Sequence, residues 1–186
     1  MTIRNRFHGT TPVGRWLGTT GGVRLIHPGS ITIFAAESNT ATIPSVNVAN
    51  SVIIYGGHTT NDAGTTRPVT TARVTLTNST TVTATNGLNS GTQIVRFTVI
   101  EFEPGVLKSV QRGTITVGVS STATATIAAV DPQKAAVWFL GFTIAAFTTN
   151  DLVYPRLDLT DGTTVTATVA LAGGSTVVGY QVVEFN

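Results

Sequence analysis

The residue types that perform chemistry are scarce in this chain, and their spacing does not build a site. The three histidines, His8, His27 and His58, lie in separate turn-rich segments without the spacing of metal ligands, and no His-Glu-x-x-His motif is present. No serine occupies a Gly-x-Ser-x-Gly turn, and no glycine-rich loop leads from a strand into a helix. Two carboxylates could flank a glycosidic bond, but the few acids are scattered among turns and strand ends. We therefore predict that the protein is not an enzyme and that it holds no metal and no cofactor.

Two charged pairs recur at matching places in the sequence. Arg73 opens one stretch of alternating polar and apolar residues and Glu101 closes another, and Arg156 and Glu184 do the same further along the chain. If each hairpin folds about the turn between its strands, Arg73 comes near Glu101 and Arg156 near Glu184. A cross-strand ion pair is worth less than about 1 kcal/mol when it is exposed, so we interpret these pairs as structural. The alternative is that the repeated carboxylates bind a ligand.

These charged pairs belong to an internal duplication. Residues 29–102 are repeated as residues 113–185, and half of the residues in 73–102 are identical in 156–185. A fixed period of this length indicates two copies of one folding unit rather than a many-repeat solenoid. We therefore predict an arm at residues 1–28, a first β domain at residues 29–104 and a second β domain at residues 105–186.

Alternation of polar and apolar residues runs through both copies, whereas helical periodicity is missing. In the last strand of the first copy, Val95, Phe97 and Val99 share one face and Arg96 and Thr98 share the other, which is typical of an antiparallel sheet with one face in a core. Threonine occurs 36 times and suits a half-solvated sheet face because its β-branched side chain is stiff. About six strands per copy, separated by turns, predict an all-β fold of two tandem small antiparallel β-sandwich or barrel domains, preceded by an extended N-terminal arm.

The arm at residues 1–28 belongs to neither copy and contains basic and aromatic residues but no acid. One interpretation is a frayed terminus. The other is an arm that docks on a neighbouring subunit or on an acidic surface, with its aromatic side chains as anchors. The candidate docking residues are Arg4, Arg6, Phe7, Arg15 and Trp16.

Composition limits the partners that we expect. The chain has no cysteine, so it has neither disulfides nor a thiolate metal site. Its first residues lack the apolar region of a signal peptide, and its longest apolar run, residues 135–147, is about 13 residues long, which is too short to cross a bilayer. A net charge of +2 is too small to argue for nucleic acid. We therefore expect neither nucleic acid nor a membrane as a partner. Only 11% of the residues are charged, and a surface with so little charge favours association, so we expect a homo-oligomer.

Several segments of the second copy resemble a β-rich module of virion structural proteins from tailed bacteriophages, and the first copy resembles it more loosely. These segments are residues 107–116, 126–134, 154–159, 163–168 and 182–185. The resemblance lies in strands and turns, so it implies a structural context and no catalytic activity.

The resemblance implies a protein of the virion surface that is made in the host cytoplasm. Two β domains and a basic arm would suit a capsid decoration (cement) protein that clamps adjacent subunits of the head lattice, with affinity raised by bivalency. The expected partners are then phage capsid or tail proteins. One alternative is a tail fibre, collar or spike component. Another is a sandwich that binds host glycans through residues 56–71 and 141–155, although the first of these segments contains no aromatic residue.

Overall fold

A computed structural model of the protein describes residues 22–60, 71–87, 91–118, 120–144, 154–170 and 175–186. These residues form twelve β-strands and one short 3-10 helix, Val48–Asn50, and contain no α-helix. No helix among them is long and apolar enough to cross a membrane. The strands are β1 (Val23–Phe34), β2 (Ser38–Thr42), β3 (Ser51–Thr60), β4 (Ala72–Asn78), β5 (Thr81–Asn86), β6 (Thr92–Phe102), β7 (Leu107–Val117), β8 (Thr122–Thr126), β9 (Ala135–Ile144), β10 (Arg156–Asp161), β11 (Thr164–Thr168) and β12 (Thr176–Phe185). The prediction of an all-β fold is confirmed.

Each copy folds into a sandwich of two three-stranded antiparallel sheets with the same strand order. In the first sandwich the sheets are β1-β6-β3 and β2-β5-β4, and in the second sandwich the equivalent sheets are β7-β12-β9 and β8-β11-β10. A pairing of β4 with β9, at Arg73 and Gly141, joins one sheet of each sandwich into a six-stranded sheet. The duplication therefore produces two tandem sandwiches that share a sheet.

Alternate side chains of each strand fill the space between the two sheets of a sandwich. In β6, Val95 and Phe97 are buried and Arg96 is exposed, as the sequence pattern predicts. Burial of each such apolar side chain stabilises the fold by about 1.5–3 kcal/mol relative to exposure. Threonines take many outward positions, where two hydroxyls can bond across neighbouring strands, as those of Thr77 and Thr83 do at 2.6 Å. The result is one apolar core in each sandwich.

The predicted domain boundaries need one correction. β1 begins at Val23, so residues 23–28 are the first part of a strand that pairs with β6 and not the end of an arm. Pro28 is tolerated within this strand because β1 is at the edge of its sheet. Residues 1–21 of the predicted arm lie outside the described residues, and so do the candidate docking residues Arg4, Arg6, Phe7, Arg15 and Trp16. The boundary predicted after residue 104 falls in the turn between β6 and β7, where Val106 N donates to Glu103 O at 3.2 Å.

The second sandwich closes one side of the first. This open side lies between β3 and β4, the edge strands of the two sheets in the first sandwich, and β9 lies along it. Leu140 of β9 enters the core of the first sandwich and is only 1% exposed. Gly141 follows with a φ of +90°, and a Cβ atom there would lie 2.2 Å from Ala72 O, so β4 can approach only because this residue is glycine. A third apolar cluster, centred on Val52, Leu107 and Val183, fills the rest of the junction.

Candidate interaction surface

Glu101 is buried at the end of β6, and it binds a different cation from the predicted one. Its Oε1 accepts hydrogen bonds from Arg24 Nη1 and from the backbone N of Asn47, each at 3.1 Å. The predicted pair of Arg73 with Glu101 is therefore wrong. The carboxylate is only 3% exposed. Its donors therefore compensate a buried charge and do not form a surface ion pair.

Glu184 repeats this arrangement at the end of β12. Its Oε1 accepts hydrogen bonds from Lys108 Nζ at 2.8 Å and from the backbone N of Asp131 at 2.9 Å, and Ser109 Oγ donates to its Oε2 at 3.2 Å. The hydrogen bond from Asp131 N and the charge of Lys108 lower the pKa of this carboxyl. The predicted pair of Arg156 with Glu184 is therefore also wrong. Both duplicated glutamates serve the structure, since protein donors already occupy them.

The wrong pairs follow from the connection between β5 and β6. The prediction treats the last two strands of a copy as one hairpin, but β5 pairs with β2 and β4, whereas β6 lies in the other sheet between β1 and β3. The cations that face the glutamates therefore come from β1 and β7. Arg24 and Lys108 occupy matching positions in the two copies. Extending the repeat upstream of residue 29 would have revealed them.

The two duplicated arginines have different surroundings. Arg73 lies where β4 meets β9, its Nε is buried and has no hydrogen-bond partner among the described residues, and burial lowers its pKa. Arg156 is 75% exposed and lies 3.6 Å from Asp158 of its own strand. The same sequence position therefore lies inside a junction in the first copy and on the surface in the second.

A polar clamp, formed by the buried Gln181 and the half-buried Arg112, holds the two sandwiches together. Ile53 N donates to Gln181 Oε1 at 3.2 Å, and Gln181 Nε2 donates to Ile53 O at 3.5 Å, so the side-chain amide replaces a neighbouring strand along β3. Arg112 Nε donates to the same Oε1 at 2.9 Å, and its Nη2 donates to Ser51 O. Burial lowers the pKa of Arg112 to about 10, which leaves it charged at neutral pH. The sequence analysis did not predict this clamp. The sequence does contain a sign of it, because the two copies differ at this position, with Thr98 in the first and Gln181 in the second.

The outer face of a sandwich is the face of its β1-β6-β3 or β7-β12-β9 sheet that points away from its own core. On the second sandwich this face is covered by the first, and Leu140 and Val183 there are at most 1% exposed. On the first sandwich the outer face is covered at one end, where Val52 is 0% exposed and packs with Leu107 and Val183 of the second sandwich. The rest of this face is exposed among the described residues. Four of the six large hydrophobic side chains that are exposed among the described residues lie on it, namely Ile26, Phe34, Ile54 and Ile94. These exposed apolar side chains make the face the candidate interaction surface.

A groove crosses this outer face at Gly56. It has a volume of about 350 Å³. Its outward-facing lining residues are Pro28, Ser30, Gly56, Arg96 and Thr98. The guanidinium of Arg96 has no ion pair within the described part of the chain. The groove therefore offers one positive charge and two hydroxyl groups among aliphatic neighbours.

The described residues offer little for catalysis. They contain no group of three His, Cys, Asp or Glu side chains that could hold a metal ion. Tyr55 Oη and His58 Nδ1 share a hydrogen bond, but burial raises the pKa of Tyr55 to about 12, which is opposite to the change that would make a phenolate nucleophile.

Comparisons with known proteins provide no relative from which a role could be transferred. No protein-family model matches the chain, no curated protein matches it and no solved structure matches it. The function is therefore argued from the fold and its surfaces.

Proposed function

We propose that the protein is a structural subunit of a tailed-phage particle, where it binds the head lattice as a capsid decoration (cement) protein. The observation that carries this proposal is the exposed part of the outer face of the first sandwich, with Ile26, Ile54 and Ile94, in a chain whose two sandwiches are held in one orientation by the Gln181 and Arg112 clamp. A rigid double module with an apolar sheet face is suited to assembly with other subunits. No catalytic role is part of the proposal.

In this proposal the basic and aromatic residues of the N-terminal segment contact the capsid subunits, and the double module reaches from one lattice position towards the next. The second contact is intramolecular once the first has formed, so a chain of two modules binds more tightly than a single one. The low charged fraction of 11% also suits a chain with much of its surface against neighbours.

The test is binding to heads of the phage that encodes this chain, prepared without it. The full-length protein and a variant that lacks residues 1–21 are added to these heads, and bound density is located by cryo-electron microscopy. We expect full-length protein spread over the head lattice, a higher temperature of head disruption, and loss of both effects in the truncated variant. Intact heads that bind neither protein would contradict the proposal.

The groove at Gly56 favours a second candidate, a tail fibre, collar or spike component that binds host glycans. Arg96 and the hydroxyls of Ser30 and Thr98 are the hydrogen-bonding groups that a sugar would need in such a groove. In particles from the same phage, density confined to the neck or tail would favour this candidate. Binding to host polysaccharide that is lost in Arg96→Ala would then assign the groove.

A further inference from the structure

The groove at Gly56 forms where three strands of the first sandwich bring one residue each to the same row. Ser30 of β1 is the partner of Arg96 in the register of β1 with β6. On the other side of β6, the register of β3 shifts within residues 55–58, so a bulge that contains Gly56 lies opposite Arg96. Because glycine has no side chain, the row ends in an open space beside Arg96, and this space is the groove.

The two copies of the repeat differ at this place by an exchange of a large and a small residue. Arg96 and Gly56 of the first copy take the positions of Gly179 and Leu140 in the second. A Cβ atom added to Gly56 would lie 3.1 Å from Arg96 Cβ, and one added to Gly179 would lie 3.1 Å from Leu140 Cβ. In each copy a side chain from one strand therefore lies against a glycine of the next. In the second copy that side chain is apolar and buried, whereas in the first it is an exposed cation.

Arg96 has no acceptor within the described part of the chain. Its guanidinium forms neither a hydrogen bond nor an ion pair there. By contrast, Arg24 donates to Glu101, and Arg112 donates to Gln181. Arg96 therefore keeps its fork of N–H donors available to a ligand.

The lining of the groove matches a carboxylated sugar. The described lining residues include a single cation, Arg96, which suits one negative charge, and its planar guanidinium fits a carboxylate with two parallel hydrogen bonds. A phosphate group carries more charge at neutral pH and is better matched by a cluster of cations. The hydroxyls of Ser30 and Thr98 can bond to the hydroxyls of a sugar, and Pro28 offers an apolar surface to its C–H groups.

We propose that the groove binds a carboxylated sugar, the uronate residue of an acidic polysaccharide, and that Arg96 selects it by pairing with the carboxylate. A neutral sugar keeps the contacts with Ser30, Thr98 and Pro28 but loses the ion pair. The volume of about 350 Å³ lies at the lower end of the range for small-molecule sites, which fits one sugar residue of a chain. The inference rests on the second candidate function, glycan binding at this groove, and adds the class of glycan.

The first test is a titration of the purified full-length protein with D-glucuronate, followed by two-dimensional NMR. We expect saturable shifts of the backbone amide signals of Ser30, Gly56, Arg96 and Thr98. Glucose, which lacks the charge, should bind about fivefold more weakly, because a bidentate pair in a groove lies at the upper end of the range for exposed ion pairs. Acetate, which has the carboxylate without the sugar ring, should also bind more weakly than glucuronate.

Three variants assign the contacts. Arg96→Gln removes the charge, so it should weaken glucuronate binding about fivefold and leave glucose binding nearly unchanged. Arg156→Gln is the matched control, since it removes an exposed arginine from the second sandwich, and it should leave the binding of both sugars unchanged. Thr98→Val removes a hydroxyl and should weaken the binding of both sugars equally. An unchanged unfolding temperature shows that each variant remains folded.

Three results would overturn the inference. The first is a titration in which glucuronate causes no saturable shifts at the groove. The second is acetate or inorganic phosphate that binds as tightly as glucuronate, which would indicate a general anion site. The third is an Arg96→Gln variant that still prefers glucuronate to glucose, or an Arg156→Gln control that loses as much affinity.

An experiment with host polysaccharide separates this inference from the function on which it rests. The polysaccharide is tested intact and after chemical reduction of its carboxyl groups to alcohols. Binding of the intact form alone would support the inference. Equal binding of both forms, lost in Arg96→Ala, would leave glycan binding in place and overturn the acidic class. Binding of neither form, by a protein that binds glucuronate, would overturn the role in host binding and leave the preference of the groove standing.

Discussion

At the scale of single residues, Glu184 shows how a buried charge is kept by its donors. The backbone N of Asp131, the Nζ of Lys108 and the Oγ of Ser109 converge on a carboxylate that is 1% exposed. Each donor favours the ionised form, so the pKa of Glu184 lies below its ordinary value of 4.5. The stability that this charge contributes therefore depends on pH.

The direction of the pH dependence follows from the lowered pKa. The contribution of Glu184 is complete above the pKa of the unfolded chain, and it is lost as the pH falls through the lower pKa of the folded protein. Urea unfolding of the parent and of Glu184→Gln, measured from about pH 7 to about pH 3, should give a stability difference that is constant above about pH 5 and shrinks below it. A difference that stays constant to the acid limit would contradict this assignment.

Gln181 permits a second prediction, with a control built into the repeat. Gln181→Leu leaves the backbone N–H and C=O of Ile53 without partners in a buried junction, so we expect a loss of about 2–3 kcal/mol in the free energy of unfolding. Thr98 holds the same position in the first copy, where the structure shows no hydrogen bond from its side chain to the described residues of the other sandwich, so Thr98→Leu should change stability by less than about 0.5 kcal/mol. Chemical denaturation measures the free energy of unfolding of both variants. Equal losses would mean that the hydrogen bonds between Gln181 and Ile53 do not stabilise the junction.

At the scale of elements, β3 and β9 carry the same left-handed glycine in different surroundings. Gly57→Ala should lower the free energy of unfolding by about 1–2 kcal/mol, because alanine is strained in a left-handed backbone. Gly141→Ala introduces the same backbone strain and in addition places a Cβ atom within 2.2 Å of Ala72 O and 2.8 Å of Arg73 Cα. We therefore expect the second variant to lose clearly more stability than the first, as measured by thermal unfolding. Equal losses would mean that β4 does not press on β9 as described.

The elements also show how far the sequence could lead. The internal duplication predicted the doubled architecture. The alternation in β6 and its counterpart β12 predicted strands and burial, because period-two patterning reports directly on a half-buried sheet. It could not predict which sheet a strand joins, since β5 and β6 have the same pattern on opposite sides of the sandwich. The predicted ion pairs failed for that reason. The sequence could not predict the exposed outer face either. Ile54 and Trp138 hold matching positions and are both apolar, and only the docking of the two sandwiches places Trp138 in the junction while Ile54 stays exposed.

At the scale of the whole molecule, the two sandwiches depend on each other for a complete core. Leu140 belongs to the second copy in sequence and to the first core in space. Leu140→Ala should therefore lower the stability of the whole protein by about 2–5 kcal/mol while unfolding stays a single transition. Ile94→Ala removes a side chain that is 40% exposed and is the matched control, with a smaller expected loss. Two separate transitions in the parent, seen by calorimetry, would show that the sandwiches unfold independently.

The position of Leu140 also has a consequence for synthesis on the ribosome. The last strand of the first sandwich, β6, ends at Phe102, and the side chain that closes its core is added about 40 residues later, after a delay of about 2–8 s at ordinary rates of translation. During that interval the nascent first sandwich has an open side and bare edges at β3 and β4. Nascent chains arrested between these two points should therefore be more sensitive to protease, and bind chaperones more strongly, than chains arrested after β9 has left the exit tunnel.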